Sequence, residues 1–160
     1  GLIDYFRNLK IIAWTTLIFG LLLFFADRSQ IKKKLDTSLN YKSILIIGMF
    51  QVLAIIPGVS RSGIVITASR LLNFNRVDST KIAFYLSIPA LAGASFLGIK
   101  DFLETDINLS IIFLLSIIFS FIISYLTVKY FLIYVKKFDL KFFVYYRIFL
   151  SLILFVIIYS

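Results

Sequence analysis

The run from Ile44 to Leu72, ILIIGMFQVLAIIPGVSRSGIVITASRLL, carries Arg61 in the middle of an apolar segment. Membrane burial does not account for that residue. A guanidinium in hydrocarbon costs several kcal/mol on insertion scales and roughly 10 or more by simulation, so an intramembrane arginine points to function. Its neighbours point to an anion as the ligand. Pro57 and Gly58 end one helix and open a turn. Ser60, Arg61 and Ser62 then offer two hydroxyls and a fork of N–H donors. Gly63 lets backbone approach a ligand closely, and a second helix can start just after it. A helix N-terminus presents unpaired N–H groups and partial positive charge, and arginine matches phosphate oxygens with two parallel hydrogen bonds. The competing reading has Arg61 tying two helices together through backbone carbonyls, with no ligand.

Composition defines the setting. Hydrophobic residues make up 61% of the 160. Apolar runs of about 16–20 residues recur, the length that crosses a bilayer as a helix. The alternating short strands of a membrane barrel are absent. The expected class is an all-α integral membrane protein, with 1–160 as a single membrane domain. Neither cysteine nor histidine occurs, which removes disulfides, a thiol nucleophile, an imidazole base and metals ligated by thiolate or histidine from this chain. The formal charge of +9 reads as positive-inside bias and not as nucleic-acid binding. The basic residues gather in loops, and no basic helix or aromatic-interleaved patch is present. Gly1 stands where an initiating Met would, without a cleavable signal pattern, as in a processed or truncated product.

Four spans are expected, over 11–26, 82–99, 109–128 and 142–159, with Trp14 as an interfacial anchor. The loop Asp27–Lys42 carries Arg28, Lys32, Lys33, Lys34 and Lys42, and the loop Arg70–Lys81 carries Arg70, Arg76 and Lys81. Both read as cytoplasmic. A single crossing by 44–72 would put them on opposite faces. The charge rule therefore predicts a re-entrant helix–turn–helix over 44–72, its tip lining a cavity, because non-helical backbone at membrane depth needs protein or water around it. Arg7 and Lys10, on the outer side of the first span, are a weaker opposing signal. Asp78, Ser79 and Thr80 are candidate caps for the next span, and Pro89 would kink it. Ala90, Ala94 and Gly98 form a small-residue stripe suited to close packing, as do Ser116, Ser120 and Ser124. Asp101, Glu104 and Asp106 read as a solvated outer loop, lacking the ordered spacing of a calcium loop. Lys129–Lys141, basic and aromatic, reads as an inner interface belt. Arg147, inside the last span, is read as snorkelling inward or bracing a neighbouring helix.

Three segments together resemble a known family. QVLAIIPGVSRSG (Gln51–Gly63), NFNRVDSTKIAFYLSIPALAGA (Asn73–Ala94) and YRIFLSLILFVIIYS (Tyr146–Ser160) are similar to the second conserved region and the C-terminal end of the bacterial undecaprenyl-diphosphate phosphatases, also called bacitracin resistance proteins. The resemblance implies a multi-pass enzyme of the bacterial inner membrane, with an inverted-repeat fold in which two re-entrant hairpins meet at the site. The implied activity is hydrolysis of undecaprenyl diphosphate to undecaprenyl phosphate and phosphate in cell-wall lipid carrier recycling. Arg61 and Ser60 carry over as catalytic residues, with Ser62, Gly63 and Gly58 as their substrate-binding neighbours. A divalent metal, Mg or Ca, is implied too, with ligands outside this chain. The family's glutamate-rich motif and its Ser-Ser-Thr-Gly-His stretch belong to a first half that is not here, and Gln51 stands where the first repeat would carry a glutamate. The resemblance is thus to the C-terminal half. The implied partners are a polyprenyl diphosphate lipid, the membrane, and either an N-terminal half or a second copy of the chain.

Phosphoryl transfer needs charge neutralisation, positioning and an activated nucleophile. This chain supplies the first two. The closest acid in sequence is Asp78, at the inner surface, so Ser60 reads as a ligand ahead of a nucleophile. Two other readings stay open: half of a lipid-phosphate transporter or flippase using the same cationic tip, and a catalytically inactive, truncated membrane protein.

Overall fold

Helices account for nearly every described residue. A computed structural model describes residues 8–28, 33–103 and 111–159, with backbone alone at 100–103. In chain order these form α1 (Leu9–Asp27), the short α2 (Leu35–Ser38), α3 (Tyr41–Val52), a 3-10 turn (Leu53–Ile55), α4 (Arg61–Leu71), α5 (Arg76–Leu103), α6 (Ile111–Lys137) and α7 (Lys141–Tyr159). Helices α1, α5, α6 and α7 are long and apolar enough to cross a membrane. The protein is an all-α, multi-pass integral membrane protein. Expectations placed on Gly1–Arg7, Lys32, Glu104, Asp106 and 109–110 lie outside the described residues.

The helices overrun the expected spans. α5 starts at Arg76 and α6 continues to Lys137, so most of the basic belt after Val128 is helical. A hydropathy boundary marks where charge begins. It does not mark where a helix must stop, because the backbone keeps satisfying its own hydrogen bonds while the lysines extend outward.

Helices α1 and α7 pack antiparallel. Gly20 permits the contact: a Cβ there would lie 3.2 Å from the Cβ of Arg147. Further along, Ser151 Oγ donates to the Ala13 carbonyl at 2.9 Å, and Trp14 meets Phe155 edge-on at 5.1 Å. Trp14 therefore packs on α7, a contact the anchor reading did not include.

The buried element is α4. Ile64 to Arg70 are all inaccessible, packed among α1, α3 and α5. The segment from α3 to α4 doubles back, and its two ends are tied together. Lys33 N–H donates to the Asn73 carbonyl at 2.8 Å, and Asn75 N–H donates to the Lys33 carbonyl at 3.0 Å. Asp78 Oδ2 accepts from Leu35 N–H at 2.9 Å and from Asn75 Nδ2 at 2.7 Å. Asn75 also corrects the capping expectation. Its Oδ1 accepts from Asp78 N–H at 2.9 Å, so Asn75 caps α5 and Asp78 answers from the first turn, a variant of the capping box.

Asp27 and Arg70 differ most from the sequence expectation, which placed both in solvated loops. They are buried, 6% and 3% exposed. The Asp27 carboxylate accepts from Arg76 Nε (2.8 Å) and Nη2 (3.0 Å), pairs with Arg70 Nε (3.2 Å), and accepts from Leu140 N–H (3.2 Å). Arg70 also donates to the Phe74 carbonyl at 2.7 Å and the Asp27 carbonyl at 2.9 Å. Converging helix ends leave carbonyls without intrahelical donors, and the guanidinium satisfies them. One carboxylate thereby joins α1, α4, α5 and the α6–α7 connection.

Among the described residues, most of the small-residue stripe positions have no packing partner, while Ala90 is half-buried. Ala94, Gly98, Ser116, Ser120 and Ser124 are exposed, and nothing lies within 4 Å of a Cβ built at Gly98.

Two outcomes follow from this architecture. Asp27→Ala leaves the buried Arg70 guanidinium without its carboxylate and removes the partner of the half-buried Arg76, and is expected to destabilise by about 3–5 kcal/mol, measured by thermal unfolding in detergent. Single cysteines at Thr37→Cys and Lys81→Cys are expected to react with an impermeant maleimide from the same membrane face; labelling from opposite faces would contradict the doubled-back segment.

Candidate functional site

The tip of the hairpin is a type II turn written by Pro57-Gly58. Val59 N–H donates to the Ile56 carbonyl at 3.2 Å, closing Ile56–Val59, and Gly58 has φ +89°. Proline suits the second position of such a turn, and the third requires positive φ, which glycine adopts without strain. Space is as restrictive as torsion: a Cβ at Gly58 would strike Thr15 Oγ1 and lie 2.8 Å from the Ile12 carbonyl oxygen. The turn is moored to α1 by Thr15 Oγ1, which donates to the Pro57 carbonyl at 2.7 Å. Arg147 Nη2 donates to the Gly58 carbonyl at 3.0 Å from α7. The bracing role expected of Arg147 is therefore present, with the motif itself as the thing braced.

Ser60 caps α4, its Oγ accepting from Gly63 N–H at 3.2 Å and lying 3.4 Å from Ser62 Oγ. Gly63 keeps this first turn open. A Cβ there would lie 3.1 Å from Ser60 Oγ and 3.6 Å from Arg147 Nη1. Gly58, Ser60, Ser62, Gly63 and Arg147 line one cleft of about 470 Å³, bordered by apolar side chains of α1, α6 and α7.

Arg61 is not in that cleft. It is exposed and opens to a separate groove of about 530 Å³ with Gln51, Pro89 and Ala90, between α3 and α5. The helix explains the division: at 3.6 residues per turn, Arg61 and Gly63 project roughly 200° apart. Grouping Arg61 with Ser60 and Ser62 as one set of contacts is thus revised. The motif brackets the start of α4, with hydroxyls and Arg147 on one side and Arg61 and Gln51 on the other. Gln51 Oε1 is buried without a hydrogen-bond partner among the described residues. Sequence reasoning noticed Arg147 and gave it no part in the site. Its contact with Gly58 spans 89 positions, so no local pattern announces it.

Chemically, the tip is a set of donors: helix N–H groups, two hydroxyls and two guanidinium groups, neither paired with a carboxylate among the described residues. Such a set favours an anion. It does not fit a divalent cation, which takes carboxylate and carbonyl oxygens. The carboxylates of Asp27 and Asp78 are engaged at the other end of the hairpin.

Residues 2–153 match the family model described as bacitracin resistance protein BacA. The chain is 57% identical, over its whole length, to an undecaprenyl-diphosphatase of Pelagibacter ubique (strain HTCC1062), covering 63% of that protein. It is 43% identical over 93% of its length to an undecaprenyl-diphosphatase of Elusimicrobium minutum (strain Pei191), covering 56% of it. For the undecaprenyl-diphosphatase of Saccharophagus degradans the figures are 38% identity, 98% of this chain and 59% of the relative. The chain thus spans about three fifths of the length of these curated relatives.

Gly58→Ala is expected to destabilise the protein by about 2 kcal/mol or more, through positive φ and steric overlap together. Thr15→Val, which removes the mooring bond and leaves the turn intact, is expected to cost about 1–2 kcal/mol in the same thermal unfolding measurement.

Proposed function

The chain belongs to the bacitracin resistance protein family, and from that premise we propose that its hairpin tip binds the diphosphate of undecaprenyl diphosphate, which is hydrolysed to undecaprenyl phosphate and phosphate. The observation that carries this reading is the start of α4. A capped helix N-terminus is flanked on one face by Ser60, Ser62 and Arg147 and on the other by Arg61, with no carboxylate among the described residues lining either recess. Two recesses around one helix terminus suit a ligand with two phosphoryl groups.

In this reading the doubled-back segment is re-entrant, dipping into the bacterial inner membrane from the face where Asp27 lies. From Asp27 to Thr16, beside the tip, α1 climbs roughly 16 Å at about 1.5 Å per residue. That is about half of a hydrocarbon layer some ~30 Å thick. A diphosphate at such depth needs the water-filled recess that irregular backbone there also requires.

The residues divide the work. Arg61 and Arg147 neutralise phosphate oxygens, and the helix N–H groups with the Ser60 and Ser62 hydroxyls orient them. Gly58 and Gly63 keep side chains out of the approach. Attack by a water oxygen on the terminal phosphorus breaks its bond to the bridging oxygen, which leaves with the lipid monophosphate. Ser60 Oγ already accepts from Gly63 N–H, which suits a fixed ligand more than a nucleophile. The group that takes the water proton lies outside these tip residues, as do ligands for the divalent cation implied by family resemblance.

In the full-length protein, Arg61→Ala is expected to lower phosphate release from a C15 or C55 polyprenyl diphosphate by about 100–1,000-fold. Release near the wild-type rate would remove Arg61 from the site. Lipid movement across vesicles without phosphate release would replace hydrolysis by translocation.

A further inference from the structure

At the end of the molecule remote from the tip, a cleft of about 740 Å³ opens over the buried Asp27 carboxylate. Its charge is unbalanced. Arg28, Arg70, Arg76, Lys136 and Lys141 face two carboxylates, Asp27 and Asp139, a formal excess of three positive charges. Both carboxylates are already committed. Asp27 holds Arg70, Arg76 and the Leu140 N–H. Asp139 pairs with Lys141 at 2.8 Å, and that hydrogen bond holds its carboxyl below the usual carboxylate range.

Three cations are left to face an incoming group. The Arg28 guanidinium lies over the Phe24 ring, 4.5 Å from its centroid, and Lys136 is exposed; neither has a carboxylate partner among the described residues. Arg76 gives Asp27 its Nε and Nη2, which leaves Nη1 to face a further acceptor. The cleft sits where α1 and α6 end and α5 and α7 begin, so its cations lie at one membrane surface. Apolar surface belongs to it as well: Phe24, Val77 and Val135 line the cleft, and the Phe24 ring meets that of Phe25, which is 63% exposed, at 5.8 Å. Clustered basic residues at the interface beside apolar surface match a phosphate that carries acyl chains.

We propose that this cleft is a second binding site, separate from the tip, for the phosphate of an anionic membrane phospholipid, held by Arg28, Arg76 and Lys136 with its acyl chains against the neighbouring apolar surface. The site is made by tertiary packing, because its three cations come from the residue that follows α1, from α5 and from α6. Occupancy offsets the repulsion among the basic side chains that surround Asp27, and so stabilises the junction of four elements.

The test uses the full-length protein in detergent with added phosphatidylglycerol, phosphatidylcholine or inorganic phosphate, reading lipid retention by native mass spectrometry. Phosphatidylglycerol is expected to bind in preference to phosphatidylcholine and to survive millimolar inorganic phosphate. The double variant Arg28→Gln/Lys136→Gln, altering two exposed side chains, is expected to reduce that preference by roughly tenfold or more. Lys33→Gln/Lys34→Gln removes the same charge outside the cleft and is expected to retain it. Equal binding of the two lipids, displacement by inorganic phosphate, an unchanged preference in the first variant, or an equal loss in the second would each overturn the assignment.

Discussion

A buried carboxylate between two guanidinium groups sets the geometry on which the rest of this molecule depends. Asp27 ends α1, Arg70 ends α4, Arg76 begins α5, and the Leu140 N–H belongs to the connection into α7. Withdrawing Asp27 leaves the buried Arg70 guanidinium without its carboxylate, and withdrawing Arg70 takes a donor from the Phe74 and Asp27 carbonyls. The hairpin is fixed at the same place by the Lys33–Asn75 bridge and by Asp78. Its base is consequently rigid. Helices of set length projecting from a rigid base deliver their tip to a set position, beside Thr15, Thr16 and Arg147.

The tip uses a different principle. Its shape comes from backbone torsion and close approach, with Pro57 and Gly58 making a turn that other residues would strain, moored by two side chains from α1 and α7. Arg147 is bound to a carbonyl and faces the cleft as well, so the contact that holds the turn also delivers positive charge beside Ser60 and Ser62. Rigid placement of donors before a ligand arrives is what anion recognition in a weakly polar medium requires, since solvent cannot reorganise to compensate.

Charge is therefore handled in opposite ways at the two ends. At the tip, guanidinium groups face recesses that no carboxylate among the described residues lines. At the base, carboxylates neutralise part of a dense cationic cluster and the remainder lines an open cleft. In the proposed readings both ends take phosphate groups, one at depth and one at the interface. Between them α4 is buried from Ile64 to Arg70, which keeps the two apart.

Much of this was legible in the chain. Composition and run length determined the all-helical membrane class, because a bilayer admits few other solutions for the backbone. Pro57-Gly58 and the Ser60 cap determined the turn and the start of α4, since torsion and capping are local. The matching charge of the loops before Ile44 and after Leu72 predicted a re-entrant segment, and what the structure adds is that its two ends are hydrogen-bonded through Lys33, Asn73 and Asn75. Tertiary structure alone decided that Asp27 and Arg70 are buried partners, that Asn75 and not Asp78 caps α5, that Arg147 reaches Gly58, and that Arg61 projects away from the serines it adjoins. Each of these turns on residues that are distant in sequence or on the rotation of a helix about its axis. Hydropathy carries neither kind of information: a charged residue beside a helix end looks the same whether its partner is water or another helix.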